Sequence, residues 1–182
     1  LFFALVCASL SWGSTFPESP QGRVSDFAGI LNERERVGLE QRFAQLETTY
    51  GHQTAVAIIK SLDGQDIESY SSELFKKWGI GKKGKDDGLL FVIAIEDKRL
   101  RIEVGYGLES ILTDVIASQI IRKDLTPYLR SGAYAQALLA FSQRIEKIYA
   151  GEIQDLSSEN NVRTIPLSPR AALLILALMF GL

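Results

Sequence analysis

The spacing of apolar residues predicts two helices in the first half of the chain. The first begins after Asn32, which forms a capping-box-like pair with Glu35, and ends at Gly51. The second begins after Asp66, a residue type that favours helix N-caps. Their apolar positions recur three or four residues apart, as expected for a buried helical stripe. These positions are Leu39, Phe43, Leu46 and Tyr50 in the first helix, and Ile67, Tyr70, Leu74 and Trp78 in the second.

Three segments have the pattern of strands. Residues 54–60 and 89–95 are rich in apolar and β-branched side chains, and the second is apolar throughout, which is typical of a strand buried on both faces. Residues 100–104 alternate between apolar and charged side chains after a polar turn at 96–98. We therefore expect residues 89–95 and 100–104 to form a hairpin.

Two more helices are predicted near the end of the chain. One begins at Thr113 or Asp114 and is ended by Pro127, and the other spans residues 133–149 before Gly151. Their apolar positions are Val115, Ile116, Ile120 and Ile121, then Ala137, Leu138, Phe141, Ile145 and Ile148. Helices and strands thus alternate around one sheet, which predicts an α/β fold: a three-layer α/β/α sandwich with a central mixed sheet.

Apolar segments at both ends define the expected domain organisation. Residues 1–14 contain the uncharged apolar run 1–10 and are interpreted as a signal peptide, the alternative being a buried strand. Residues 15–21 are a linker, residues 22–151 the globular domain, and residues 152–170 a flexible polar linker. Residues 171–182 are continuously apolar and predict the start of a transmembrane helix, the alternative being a core helix. We expect a membrane-anchored protein outside the cytoplasm, in the periplasm or cell envelope.

Composition excludes several classes of function. The 182 residues carry a formal net charge of −2, which argues against nucleic acid as a main partner. The only cysteine, Cys7, lies in the predicted signal peptide, and the only histidine, His52, is expected in a surface loop rather than as a ligand. No Ser-His-Asp arrangement, C-x₅-R loop or H-E-x-x-H motif is apparent. Any hydrolytic activity would therefore rest on carboxylates and a metal ion.

A glycine- and lysine-rich loop precedes the most apolar strand. Gly79, Gly81 and Gly84 match the pattern G-x-G-x-x-G, but a helix precedes this pattern and a strand follows it. A dinucleotide site needs the reverse order, so we expect no nucleotide. These glycines and Gly88 instead allow a tight exit from the helix and a close approach of the backbone to the sheet.

Asp86 and Asp87 are adjacent carboxylates at the end of this loop. Such a pair is favourable when a cation lies between or near the two groups, and Ca²⁺ takes carboxylate and loop carbonyl oxygens. The alternative is a solvated turn in which Lys82, Lys83 and Lys85 balance the acids.

A second group of candidate ligands follows residues 100–104. Gly105 and Gly107 flank Tyr106, and the acids Glu109 and Asp114 come next, before the third helix. A cation, or a phosphate bridged by one, fits better here than a bare phosphate, which Glu109 would repel. The alternative is that both acids only complement the N-terminus of that helix.

Asp26 is a third candidate position. It lies in a loop before Ala28 and Gly29, and it is either a further ligand or an Asx-turn residue.

Three blocks of sequence resemble the TPM domain family, which includes bacterial envelope proteins and a plant thylakoid-lumen protein involved in photosystem II repair. The blocks are V-S-D-F-A-G-I-L at residues 24–31, W-G-I-G-K-K-G-K-D-D-G-L-L at 78–90 and V-G-Y-G-L-E-S-I-L-T-D at 104–114. Gly132 and Tyr134 also fit, so the resemblance covers about residues 22–151.

The resemblance implies an α/β/α sandwich held outside the cytoplasm, a Ca²⁺ or other divalent-cation site built from loop acids, and a debated acid phosphatase activity. Carried over by position, the acids are Asp26, Asp86, Asp87, Glu109 and Asp114. The chain departs from the family at one place, because the family commonly has Asp-Asn-Gly where this chain has Asp-Asp-Gly at 86–88. The additional charge either strengthens cation binding or indicates that the second position is structural.

Two functional hypotheses follow. The first is a membrane-tethered module that binds a divalent cation and docks a membrane-protein partner in membrane-protein maintenance. The second is a metal-dependent acid phosphatase in which Lys82 or Lys83 supplies positive charge to the substrate. The first is favoured, because the chain offers no nucleophile with an evident activating partner.

Overall fold

The computed structural model describes residues 16–152, which fold around a four-stranded sheet. In spatial order the strands are β1 (Val24–Asp26), β2 (Gln53–Ile59), β3 (Gly88–Ala94) and β4 (Arg99–Val104). β1, β2 and β3 run parallel, and β4 pairs antiparallel with β3. The predicted mixed sheet and α/β fold class are confirmed. β1 was not predicted, because a strand of three residues is too short for a periodic pattern.

Helices cover both faces of this sheet. They are α1 (Glu33–Tyr50), α2 (Ile67–Trp78), α3 (Asp114–Gln119), α4 (Thr126–Arg130) and α5 (Tyr134–Tyr149). On one face, α1, α3 and α5 pack around Phe91 of β3, whose ring centroid lies 4.7 Å from that of Phe141. On the other face, α2 packs against Leu90 and Val92. β3 is buried along its whole length, as its uninterrupted apolar sequence predicts.

The predicted helix caps of the first half are confirmed. The Asn32 side chain accepts a hydrogen bond from the Glu35 N–H, and the Glu35 carboxylate accepts one from the Asn32 N–H. Gly51 ends α1 in the left-handed region with φ of 81°, and Asp66 caps α2 by accepting from the Ser69 N–H. These local bonds define the start and the end of α1 and the start of α2.

Pro127 does not end the third helix, contrary to the sequence-based expectation. A π-helical turn at Ile120–Leu125 joins α3 directly to α4, and Pro127 lies in the first turn of α4. The wider π turn lets the Thr126 N–H and its Oγ1 both donate to the Ile121 carbonyl. Proline is tolerated in the first turn of a helix, and here it directly follows the π turn that the Thr126 bonds close. Val115 is 65% exposed, so it lies outside the buried stripe.

Part of the predicted linker 15–21 is packed onto α2. The ring of Phe16 lies 4.6 Å from that of Tyr70, and the Pro17 carbonyl accepts a hydrogen bond of 3.2 Å from the Trp78 indole. The predicted signal peptide at 1–14, the predicted transmembrane segment at 171–182 and all of the polar linker beyond residue 152 lie outside the described residues. Within residues 16–152, no helix has the length and apolarity needed to span a bilayer.

Candidate functional site

Three segments of the chain meet at one end of the sheet, here called the loop end. They are the central loop (residues 79–88), residues 52–53 at the start of β2, and residues 105–109 after β4. The register brings them together, because Gly88 pairs with Gln53 and Leu89 pairs with Val104. Parallel β2 and β3 and antiparallel β4 therefore present their flanking segments at the same edge.

Hydrogen bonds fasten the central loop to itself and to β2. The Gly81 N–H donates to Gln53 Oε1 at 2.7 Å, and the Lys82 N–H donates to Asp87 Oδ1 at 2.8 Å. The N–H groups of Lys85 and Asp86 both donate to the Lys82 carbonyl, at 2.9 and 3.1 Å. The loop is thus a closed turn fixed to the sheet.

Glycine is required where residues 105–107 cross this loop. A Cβ on Gly105 would lie 2.1 Å from the Asp86 carbonyl oxygen, and a Cβ on Gly107 would lie 2.1 Å from the Lys85 carbonyl oxygen. The Gly107 N–H donates to the Asp86 carbonyl at 3.0 Å in the same contact. The two segments are in direct backbone contact, which only residues without a side chain permit.

The other glycines that were predicted to support the central loop determine the conformation of its backbone. Gly79 caps α2 with φ of 60°, and Gly81 and Gly84 have φ of 103° and 82°. A Cβ on Gly88 would lie 2.6 Å from the Ile80 carbonyl. These positions have conformations or contacts that an L side chain disfavours.

Asp87 points into the protein. It is only 6% exposed, and besides its bond from Lys82 its Oδ2 lies 3.6 Å from His52 Nδ1. Burial by itself raises the pKa of this carboxyl, but backbone hydrogen bonds, first that from Lys82, and the charges of His52 and Lys82 lower it further than burial raises it. Asp87 is therefore held as a carboxylate that joins the loop to the segment before β2.

Asp86 points outward. It is exposed and lies in the left-handed region with φ of 49°, where Asp is tolerated better than most residues. Two neighbouring carboxylates thus have different surroundings, and Asp86 is the one that a solute can reach.

His52 lies in the loop between α1 and β2, as expected, but its side chain is partly buried there. Its side chain is 28% exposed, its ring centroid lies 4.8 Å from that of Tyr149, and its Nδ1 is buried with no hydrogen-bond partner among the described residues. The Tyr149 hydroxyl lies 3.1 Å from Thr54 Oγ1, and burial raises the pKa of Tyr149. The only feature of the sequence that could have indicated this partial burial is the position of His52 between Gly51 and a buried strand.

Glu109 and Asp114 are both exposed and line one cleft of about 380 Å³. Arg101 and Glu103 of β4 line the same cleft and pair with each other at 3.3 Å. Thr113, not Asp114, caps α3 by accepting from the Ile116 N–H. The structure therefore brings this pair of acids together beside a cation from β4.

Asp26 lies at the opposite end of the sheet. It pairs with Ile58, five residues beyond Gln53, which corresponds to about 16 Å along the strand. Its two carboxylate oxygens accept hydrogen bonds of 2.8 Å from the N–H groups of Gly29 and Leu31. These are the bonds of an Asx-type turn, so the geometry fits the alternative role of Asp26.

The family model described as the TPM domain matches residues 24–148. The chain belongs to the TPM domain family. The match spans β1 to the last turn of α5 and includes the central loop and residues 105–109. No curated protein matches the chain.

Three structures solved by NMR have a similar fold. The N-terminal domain of a P. gingivalis protein is 30% identical, with a TM-score of 0.66 over 71% of this chain and 83% of that domain. The N-terminal domain of cg2496 from Corynebacterium glutamicum is 17% identical, with a TM-score of 0.56 over 76% of this chain and 84% of that domain. Protein BA42 from Bizionia argentinensis is 14% identical, with a TM-score of 0.59 over 76% of this chain and 94% of its own. The last two show the fold alone.

The candidate acids of this TPM domain do not form a preassembled metal centre. Within residues 16–152, no group of three or more His, Cys, Asp or Glu side chains is arranged to hold a metal ion. The loop end of the TPM domain instead presents Asp86, exposed lysines at 82, 83 and 85, and Tyr106, which is 81% exposed.

Proposed function

We propose that this TPM domain is a docking module, tethered outside the cytoplasm, that binds a divalent cation at its loop end and contacts a membrane-protein partner there. The observation that carries this proposal is the exposed Asp86 carboxylate on a loop that backbone contacts hold in one conformation. A rigid loop that presents charged groups binds at a low cost in conformational entropy.

Asp86 is the cation ligand in this proposal, with carbonyl oxygens of the loop and water completing the coordination. Ca²⁺ suits such a site, because it accepts irregular sets of six to eight oxygen ligands. Glu109 is an exposed acid whose segment is joined to the loop through the Gly107–Asp86 bond. Asp87 supports the site from inside by holding the Lys82 N–H.

The departure from the family at position 87 is consistent with this division of roles. An Asn at this position has a side-chain oxygen that accepts the Lys82 N–H as Asp87 does. A ligand role would favour the carboxylate, whereas a supporting role accepts either side chain. Asp87 is therefore proposed as a supporting residue and not as a ligand.

The partner surface proposed here consists of Tyr106, Lys82, Lys83 and Lys85, and is called the docking face. Tyr106 has the large exposed aromatic surface typical of interface hot spots, and the three lysines surround it with positive charge. α5 ends at this same edge, where Tyr149 contacts His52. A membrane anchor at residues 171–182 would thus be joined to the docking end of the domain.

A calcium titration read by thermal unfolding tests the proposed cation site. A ligand that binds only the folded state stabilises it by RT ln(1 + L/Kd), where L is its free concentration, so the melting temperature rises with the logarithm of L once this exceeds Kd. We expect Ca²⁺ to stabilise wild type and Asp87→Asn, and to have little effect on Asp86→Asn. Asp26→Asn is the matched control, because it removes one carboxylate at the other end of the sheet. Equal responses of Asp86→Asn and wild type would contradict the proposal.

Hydrolysis of phosphomonoesters is the second candidate function. It is favoured by the exposed lysines at 82, 83 and 85 beside Asp86, since they would attract a phosphate that a cation bridges to the loop. The test is release of p-nitrophenol from p-nitrophenyl phosphate at acidic pH with Ca²⁺ or Mg²⁺. Turnover that Asp86→Asn abolishes supports this function. Turnover that survives in the double variant with Asp87→Asn points to a contaminant or another site.

A further inference from the structure

A second concave surface lies at the far end of the sheet from the docking face. It is a cleft of about 580 Å³ between the β3–β4 turn and the connection from α4 to α5, here called the hairpin cleft. Its volume falls within the usual range of about 300 to 1,000 Å³ for small-molecule sites. The cleft adjoins the carboxyl end of β3, where ligands of open α/β sheets commonly bind.

The floor of the hairpin cleft is apolar. Ile93 and Ile95 continue the face of β3 that carries Phe91, and Leu100 lies on the same face of the sheet. Leu129 of α4 and the ring of Tyr134 form the facing wall. Ile95, Leu100, Leu129 and Tyr134 are only partly buried, so apolar surface remains accessible to an apolar ligand.

Two cations border this apolar floor from opposite sides. Lys98 comes from the β3–β4 turn, with φ of 54°, and exposed Arg130 comes from the last residue of α4. Neither forms an ion pair with another residue in the range 16–152. A third cation, Arg99, also lines the cleft, although it alternates with Leu100 along β4.

Acidic groups do not neutralise the hairpin cleft. Among the described residues that line it, none is Asp or Glu. The nearest acids in sequence are Glu96 and Asp97 of the same turn. Asp97 accepts a hydrogen bond from the Leu62 N–H at 2.9 Å, which directs it toward the α2 side, and Glu96 is exposed. The cleft therefore combines apolar surface with uncompensated positive charge.

A π-helical turn, Ile120–Leu125, immediately precedes Thr126, which lines the cleft. Such turns are rare and occur often at functional sites, since they shift the side chains that follow. Here the turn precedes Leu129 and Arg130. An additional hydrogen bond from Thr126 Oγ1 to the Ile121 carbonyl holds it in place.

From these features we propose that the hairpin cleft binds an aliphatic monocarboxylate, with its carboxylate between Lys98 and Arg130 and its chain on Ile95, Leu100 and Leu129. The apolar floor would contact the aliphatic chain of this ligand. The two cations, which have no ion-pair partner within residues 16–152, would bind its carboxylate. This site is separate from the docking face and does not depend on cation binding at Asp86.

Octanoate is the probe for this proposal, since it stays monomeric at millimolar concentration. Amide shifts of the 182-residue chain are followed during titration, with 1-octanol and octylammonium as neutral and cationic counterparts. We expect octanoate to shift the amides of Leu100, Leu129 and Tyr134. Lys98→Gln/Arg130→Gln should weaken octanoate at least tenfold and leave 1-octanol unchanged. The matched control Arg122→Gln/Lys123→Gln removes the same charge outside the cleft and should bind octanoate as wild type does.

Several outcomes would overturn the proposal. Octylammonium or 1-octanol binding as tightly as octanoate would show that the cations do not select the ligand. Octanoate-induced shifts confined to amides outside the cleft would contradict the proposed site. The absence of any shift up to 5 mM octanoate (about 3 kcal/mol of binding free energy) would contradict it as well. A peptide with an apolar C-terminus that binds more tightly than octanoate would assign the cleft to a protein partner instead.

Discussion

The backbone N–H of Lys82 donates to the carboxylate of Asp87 across the central loop, at 2.8 Å. Asp87 immediately precedes β3, so this bond ties the loop to the strand that is buried along its whole length. The other oxygen of Asp87 faces His52 at 3.6 Å. The adjacent Asp86 is left exposed, which separates a supporting carboxylate from one available to a ligand.

Substitutions of Asp87 should distinguish its acceptor role from its charge. Asp87→Ala removes the charged acceptor of the Lys82 N–H, and we expect a loss of about 1–3 kcal/mol in the free energy of unfolding. Asp87→Asn keeps an acceptor and should lose less than half as much. Urea denaturation measures both values. A loss for Asn equal to that for Ala would show that the charge, not the acceptor, is what stabilises the loop.

The stability of the domain should depend on pH through Asp87. Its pKa in the folded state is lowered, so its contribution is complete above the ordinary carboxyl value of about 3.9 and is lost as pH falls through the lower folded value. The free energy of unfolding should therefore rise with pH in this acidic window. Asp87→Asn should have a smaller slope there, as measured by urea unfolding at several pH values between 2 and 5. Parallel curves for the two proteins would refute the assignment.

Gly105 and Gly107 should not tolerate a methyl group. In either alanine variant a Cβ would lie 2.1 Å from a loop carbonyl oxygen, so one of the two segments must move. We expect a loss of about 1–3 kcal/mol and altered amide shifts throughout residues 81–87. Gly38→Ala is the control, because no atom lies within 4 Å of its added Cβ and it lies inside α1, where alanine should stabilise by about 0.5–1 kcal/mol.

Phe91 should dominate the larger core cluster. It is fully buried between the sheet and α5, and its ring contacts Phe141. Phe91→Ala should lower the free energy of unfolding by about 3–5 kcal/mol. Val115→Ala, at a position 65% exposed, should change it by less than about 0.5 kcal/mol. Similar losses for the two variants would mean that the helices on this face are not packed as described.

The fold was predictable where local chemistry and periodicity agree. The capping box at Asn32, the left-handed Gly51 and the uninterrupted apolar run of β3 each specify their element within a few residues. β1 escaped prediction because three residues carry no periodic signal. The prediction that Pro127 ends the third helix was wrong, because its effect depends on a π turn that sequence patterns do not reveal.

The candidate site was predictable only in part. The importance of the central loop and of its glycines follows from the sequence, but the roles of the acids depend on tertiary placement. Asp86 and Asp87 are adjacent in sequence and yet face opposite environments, and Asp26 lies at the other end of the sheet. His52 contacts Tyr149, which is far from it in sequence, and no local pattern contains that information.

Manganese relaxation mapping would locate the proposed cation at the loop end. Mn²⁺ replaces Ca²⁺ at oxygen sites and broadens the NMR signals of nearby amides, so it locates the ion without any substitution. We expect substoichiometric Mn²⁺ to broaden the amides of residues 84–87 and 107–109, and excess Ca²⁺ to restore them. The amides of Gly29 and Leu31, beside Asp26, should stay sharp. Broadening centred on Asp26, or uniform weak broadening that Ca²⁺ does not reverse, would contradict a cation site at the loop end.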